Sequence, residues 1–201
     1  MDMKKILMIF MAALLGAASI AGCSDKKSSS SAPKKAEEKK PAAVTYEEAY
    51  RETFDSMYSA DGGEAFYEYT YPQSVIDYMK ENGDYDSRIE EYNTNAEALI
   101  KSMDNIPTIK EITECSPLTD EQLKYAKNYF FAVCSGEDPD FDMNSINITE
   151  GYELTSSITD EALEDREETW CMLKFEGDGW KAYTGSAQAL EENFKETDIS
   201  A

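Results

Sequence analysis

The chain has 201 residues, with 19 Lys and Arg against 41 Asp and Glu, a formal net charge of −22, and no histidine. A chain this acidic repels nucleic-acid phosphates and anionic membrane faces, so no nucleic-acid partner is expected. Without histidine there is no Ser-His-Asp or Cys-His nucleophile pair and no His-ligated zinc.

Lys4 and Lys5 precede an apolar or small-residue run from Ile6 to Ile20. That run is shorter than the ~20 residues of a membrane span but suits a secretory h-region. It ends in Ile20-Ala21-Gly22-Cys23. The basic start, apolar middle and small residues before a cysteine resemble the lipobox of bacterial lipoproteins of Gram-positive type. The resemblance implies a signal peptide over 1–22, a diacylglyceryl group on the Cys23 sulfur, and an extracytoplasmic place on the outer face of the cell membrane. Two acyl chains supply the two hydrophobic signals that stable anchoring requires, so membrane contact is expected through the lipid on Cys23.

Residues 24–44 hold five serines, six lysines, four alanines and two prolines, with Val44 the only sizeable apolar side chain. Such a stretch buries too little surface to offset chain ordering, so the lipidated cysteine and this flexible stalk form one segment, 23–44. Its six lysines against Asp25, Glu37 and Glu38 give +3. They either touch anionic headgroups or keep the stalk soluble. Residues 45–201 carry the rest: eleven basic and thirty-seven acidic side chains, or −26, with all thirteen tyrosines and both tryptophans. That length supports a core without disulfide staples.

Within 45–201, Thr45 before Glu47 and Glu48 predicts a helix start, and Tyr46, Tyr50, Phe54, Met57 and Tyr58 follow at helical spacing up to Asp61-Gly62-Gly63. A second helix is predicted near Gln73–Glu81, stopped by Asn82-Gly83. A third carries Ile89, Tyr92, Ala96, Leu99, Ile100 and Met103 and halts before Pro107. Thr108 to Cys115 reads as a strand. Thr119 and Gln122 then form a capping box, with Leu118 stapling onto Leu123 and an inner face of Leu123, Ala126, Phe130 and Val133. Ile146, Ile148, Tyr152, Leu154 and Ile158 alternate as a half-buried strand or strand pair. Glu176-Gly177-Asp178-Gly179, between Trp170–Phe175 and Trp180–Tyr183, predicts a hairpin.

Helices followed by antiparallel strands predict an α+β domain with helices against one face of a curved sheet. The run Trp170 to Lys181, with the helix start at Leu118–Leu123 and the strand entry at Gly151-Tyr152, resembles the cystatin-like cone of the nuclear transport factor two-like superfamily, as found in small exported lipoproteins. The resemblance implies N-terminal helices packed on a curved antiparallel sheet. It selects no activity, because that fold hosts enzymes and binders alike.

Asp138, Asp140, Asp142 and Asn144 occupy alternate positions of a candidate calcium loop, although Met143 stands where the turn needs glycine and Thr149 where a bidentate Glu belongs. An acidic loop after a helix is the competing reading. Glu161, Glu164, Asp165, Glu167 and Glu168 form either a surface for a basic partner or a solvated turn. Tyr67, Tyr69 and Tyr71 alternate as an aromatic platform for a sugar or peptide would, whereas Trp170 and Trp180 are expected to pack. Cys115, Cys134 and Cys171 are either free buried thiols or include one disulfide with Cys171 as a member. No spacing marks a catalytic residue, and no cofactor is implied. The expectation is a non-enzymatic, membrane-anchored binding module for a basic protein, peptide or glycan. The alternatives are an acidic inhibitor or immunity-type protein for a basic secreted enzyme, and a pocket enzyme using a desolvated carboxylate.

Overall fold

A computed structural model describes residues 45–160 and 162–195. The signal peptide, Cys23 and the stalk lie outside the described residues, as does Glu161. No described helix is long and apolar enough to cross a membrane.

The fold is α+β: six helices pack against a four-stranded antiparallel sheet. Helices α1 (Tyr46–Met57), α2 (Gly63–Thr70), α3 (Gln73–Asn82) and α4 (Tyr85–Ser102) come first. Strand β1 (Thr108–Pro117), helix α5 (Asp120–Glu137) and a 3-10 turn (Met143–Ser145) follow. Strands β2 (Ile148–Thr159), β3 (Asp165–Phe175) and β4 (Gly179–Tyr183) then lead to α6 (Ala187–Phe194). The sheet order is β1-β2-β3-β4.

Both expected helix starts form. The Thr45 hydroxyl accepts from Glu48 N at 3.1 Å while the Glu48 carboxylate accepts from Thr45 N at 3.1 Å. Thr119 and Gln122 make the same reciprocal pair, at 2.8 and 3.3 Å. Each cap contributes about 1 kcal/mol by satisfying amides that the first helical turn leaves open.

The first helix stops sooner than its spacing predicts. It ends at Met57, and Gly62 then leads into α2. A Cβ on Gly62 would sit 2.0 Å from the Ser56 carbonyl oxygen, so only glycine lets α2 turn back this closely on α1. In the expected hairpin, Gly177 takes a φ of 77°, which that turn requires.

Helices cover both faces of the sheet, not one. Leu154, Ile158, Trp170, Met172, Trp180 and Ala182 pack with Ala49, Tyr50 and Phe54 of α1 and Tyr69 of α2. Cys171, Leu173, Phe175 and Tyr183 pack with Tyr125, Ala126 and Phe130 of α5 and Ala187 and Leu190 of α6. Adjacent β3 residues therefore enter different cores, because successive side chains of a strand point to opposite faces. The buried face of α5 is Tyr125, Ala126, Asn128, Phe130 and Cys134, with Val133 only half-buried.

One polar junction ties the helices to the β3–β4 hairpin. The Lys181 side chain is 3% exposed; its ammonium donates to the Glu68 carbonyl at 2.7 Å and pairs with Asp178 at 3.1 Å. The other Asp178 oxygen accepts the Gln73 amide at 2.7 Å, which caps the start of α3 from across the fold. Deleting Asp178 strands a buried ammonium, so Asp178→Ala should lower unfolding free energy by on the order of 3 kcal/mol. Removing both charges together, Lys181→Met with Asp178→Asn, which keeps the bulk and an acceptor for the Gln73 amide, should stay within about 1 kcal/mol of the parent. Urea midpoints at constant slope would test both values.

Candidate functional site

The first core contains a polar assembly that the alternation of apolar residues does not announce. Ser156 pairs with Glu168 across β2 and β3, and Ile158 with Arg166. Tyr50 reaches down from α1, and its hydroxyl hydrogen-bonds the Ser156 hydroxyl, both residues being fully buried. The Glu168 carboxylate, 10% exposed, meets the Arg166 guanidinium at 2.6 Å. Arg166 Nε is buried without a hydrogen-bond partner among the described atoms.

Burial sets the electrostatics here. It pushes the Tyr50 hydroxyl up to about 12, with the hydrogen bond to Ser156 opposing the shift. It also raises the Glu168 carboxyl above its usual range, with the Arg166 charge opposing. The group therefore has an enclosed hydroxyl pair beside a partly compensated ion pair. Through the Tyr50–Ser156 pair it holds α1 on the sheet. Ser156 is closed to solvent and offers no accessible nucleophile.

At the end of the same face, Tyr46 stacks on Tyr152 with centroids 4.6 Å apart and meets the edge of Trp180 at 5.6 Å. Lys174 lies over the Trp180 ring at 5.5 Å and pairs with Glu150 at 2.7 Å. A hydrogen bond with the Cys115 thiol raises the Tyr46 hydroxyl. Separately, Glu137 accepts both guanidinium nitrogens of Arg88, at 3.1 and 2.6 Å, and this fastens α4 to the end of α5.

The structure does not assemble the calcium-loop candidates. Asp138 caps α5 and accepts the Asp140 amide at 3.0 Å. Asp142 accepts the Asn144 amide and side chain, each at 2.9 Å, and caps the 3-10 turn. Among the described residues, no three acidic or cysteine side chains gather where they could hold a metal ion. The loop folds on its own backbone, as aspartates in turns do.

Tyr67, Tyr69 and Tyr71 form no platform, because they are 1, 4 and 6% exposed. The residues from Gly63 to Thr70 are helical, so Tyr67 and Tyr71 stack at 5.2 Å one turn apart while Tyr69 enters the first core. Trp170 and Trp180 pack as expected. Cys134 and Cys171 are free and buried, whereas Cys115 is free but exposed, against the expectation of three buried thiols.

The described acids after β2 are divided among several partners. Asp165 pairs with Lys110 at 2.7 Å, and Glu168 turns inward to Arg166. Glu164 and Glu167 stay exposed. The one available signal for the buried assembly was Ser156, a hydroxyl standing in the row Tyr152, Leu154, Ile158.

No protein-family model matches the chain, and comparison with curated proteins and with solved structures returns no match.

A carboxyl whose folded-state pKa is raised adds stability below its ordinary value of 4.5 and loses it as pH rises through the folded value. Glu168→Gln should therefore become less stable relative to the parent as pH falls from neutrality toward 4.5, and gain ground as pH rises. Melting curves of both proteins across that interval test the sign. Tyr50→Phe leaves the Ser156 hydroxyl unpaired and should cost about 1–3 kcal/mol with no change in this pH dependence.

Proposed function

We propose that the chain is a lipid-anchored extracytoplasmic binding protein whose acidic head takes a cationic protein partner. The leader and Cys23 supply the anchor. The observation that carries the partner class is the allocation of charge in the head. Arg88, Arg166 and Lys181 are spent on acids in or near the interior, and Lys110 and Lys174 on acids of neighbouring strands. Meanwhile Asp86, Glu90 and Glu91 of α4 face solvent beside Glu97, which pairs with Lys101. The field outside the head is thus negative, and a positive surface is steered toward it.

An acidic inhibitor or immunity-type protein for a basic secreted enzyme is the most specific form of this reading. A glycan ligand loses its motive with the burial of Tyr67, Tyr69 and Tyr71. A pocket enzyme would use Glu168, and its ion pair with Arg166 beneath α1 weighs against that role.

Metabolic labelling with an alkyne fatty acid should tag the parent protein and leave Cys23→Ala unlabelled, with the variant moving from the membrane fraction to the soluble one. Association of the head with its envelope partner should slow by at least about tenfold between low salt and roughly 0.5 M salt. Salt-independent association would remove the cationic partner while leaving the anchor untouched.

A further inference from the structure

We propose that the outer edge of β1 is a docking strand for an extended partner segment in which basic and apolar residues alternate. This rests on the cationic-partner reading above and gives that partner a place and a backbone geometry. β1 ends the sheet, and among the described residues no strand pairs with its second edge. Along its ten residues only Ile109 and Ile112 are half-buried, and the rest are exposed. A free edge of this length presents a row of amide and carbonyl groups ready to pair with another chain.

The register gives the edge two chemically different sides. Ile109, Ile112 and Cys115 pair with Ile158, Ser156 and Leu154, so they lie on the side of the first core. Glu111 and Glu114 pair with Ser157 and Thr155, on the opposite side. Register shifts between Ile109 and Glu111 and between Ile112 and Glu114 maintain this spacing, each accommodating one extra residue, Lys110 and Thr113. Both extra residues are engaged by the sheet's own strands at its surface: Lys110 pairs with Asp165 at 2.7 Å, and the Thr113 hydroxyl donates to the Thr155 carbonyl at 3.1 Å. Neither Glu111 nor Glu114 takes part in the ion pairs among the described residues, and both are exposed.

An added strand presents its side chains alternately to the two sides. Lysine or arginine at every second position meets Glu111 and Glu114, and the intervening apolar residues extend the ledge of Ile109 and Ile112. A second copy of this chain is disfavoured at the same edge. Antiparallel pairing about a two-fold axis puts the carboxylates of both copies on one side, where like charges repel. The acids thus guard the edge against self-association and select a basic partner.

The test uses the full chain in a neutral detergent and a fluorescent octapeptide of alternating lysine and valine, read by anisotropy. Saturable binding is expected, weakened at least about tenfold by Glu111→Lys with Glu114→Lys, and changed less than about twofold by the same charge reversal at two exposed acids elsewhere, Glu81→Lys with Glu192→Lys on α3 and α6. Two further peptides are N-methylated at every lysine or at every valine. Amides of alternate residues point to opposite edges, so one of these peptides should bind and the other should not. Equal loss from the Glu81 and Glu192 reversal, equal behaviour of the methylated peptides, or no binding of the parent peptide overturns the proposal. So does a dimer in sedimentation that the β1 reversal dissolves. If an envelope partner is still captured in a salt-sensitive way by the β1-reversed chain, the docking edge fails and the cationic-partner reading stands.

Discussion

A single buried ammonium joins the parts of this fold that have least sequence continuity. Lys181 belongs to the five-residue strand β4, yet it holds the carbonyl end of α2 and the turn carboxylate of Asp178, which in turn caps α3. Burial lowers the Lys181 pKa, and the Asp178 charge opposes that shift. The pair is therefore an expensive contact that is tolerable because every polar atom in it has a partner. Removing either charge leaves the other with a single backbone partner, so the junction behaves as a unit. The first core lies next to it: Trp180 and Ala182 flank Lys181 on β4 and face α1.

The same arrangement recurs at two other places and explains the electrostatic character of the head. Arg88 with Glu137 and Arg166 with Glu168 are ion pairs whose carboxylates are 9% and 10% exposed. Part of the small stock of cations is used inward: Arg88 fixes α4 to α5 and Lys181 joins β4 to α2, while Arg166 meets its acid within β3. Self-repulsion among the remaining carboxylates is left to solvent and counter-ions. The head is thus strongly charged outside and closely balanced inside.

Much of this was legible in the sequence where a local rule has one outcome. Thr45 and Thr119 marked helix starts because a side-chain cap needs only neighbours within three residues. Gly177 and Gly179 marked the hairpin for the same reason. Tyr67, Tyr69 and Tyr71 misled because residues two apart in a strand and four apart in a helix share Tyr67 and Tyr71. The polar face of this eight-residue helix is only Glu64 and Glu68, too narrow to decide between them. Helices on both faces could not be read from the Trp170–Leu173 run, whose continuous apolar character fits a strand buried on two sides or a helix segment equally well. The buried hydroxyl pair depends on Tyr50 and Ser156 meeting across 106 positions of chain, and no local pattern encodes that distance.

The apolar run of β3 has a further consequence for how the chain finds its pairing. A slip of one residue normally exposes a strand's greasy side and is rejected at once. In β3 it would exchange Trp170 and Met172 for Cys171 and Leu173, leaving apolar side chains on both faces. The middle of the strand therefore discriminates poorly between alignments. Discrimination moves to its ends, where a slip would turn Glu168 away from the Ser156 side and Lys174 away from Glu150, and to the glycine turn that starts β4. The charged residues flanking this strand act as its alignment marks, and the packed centre follows the position they set.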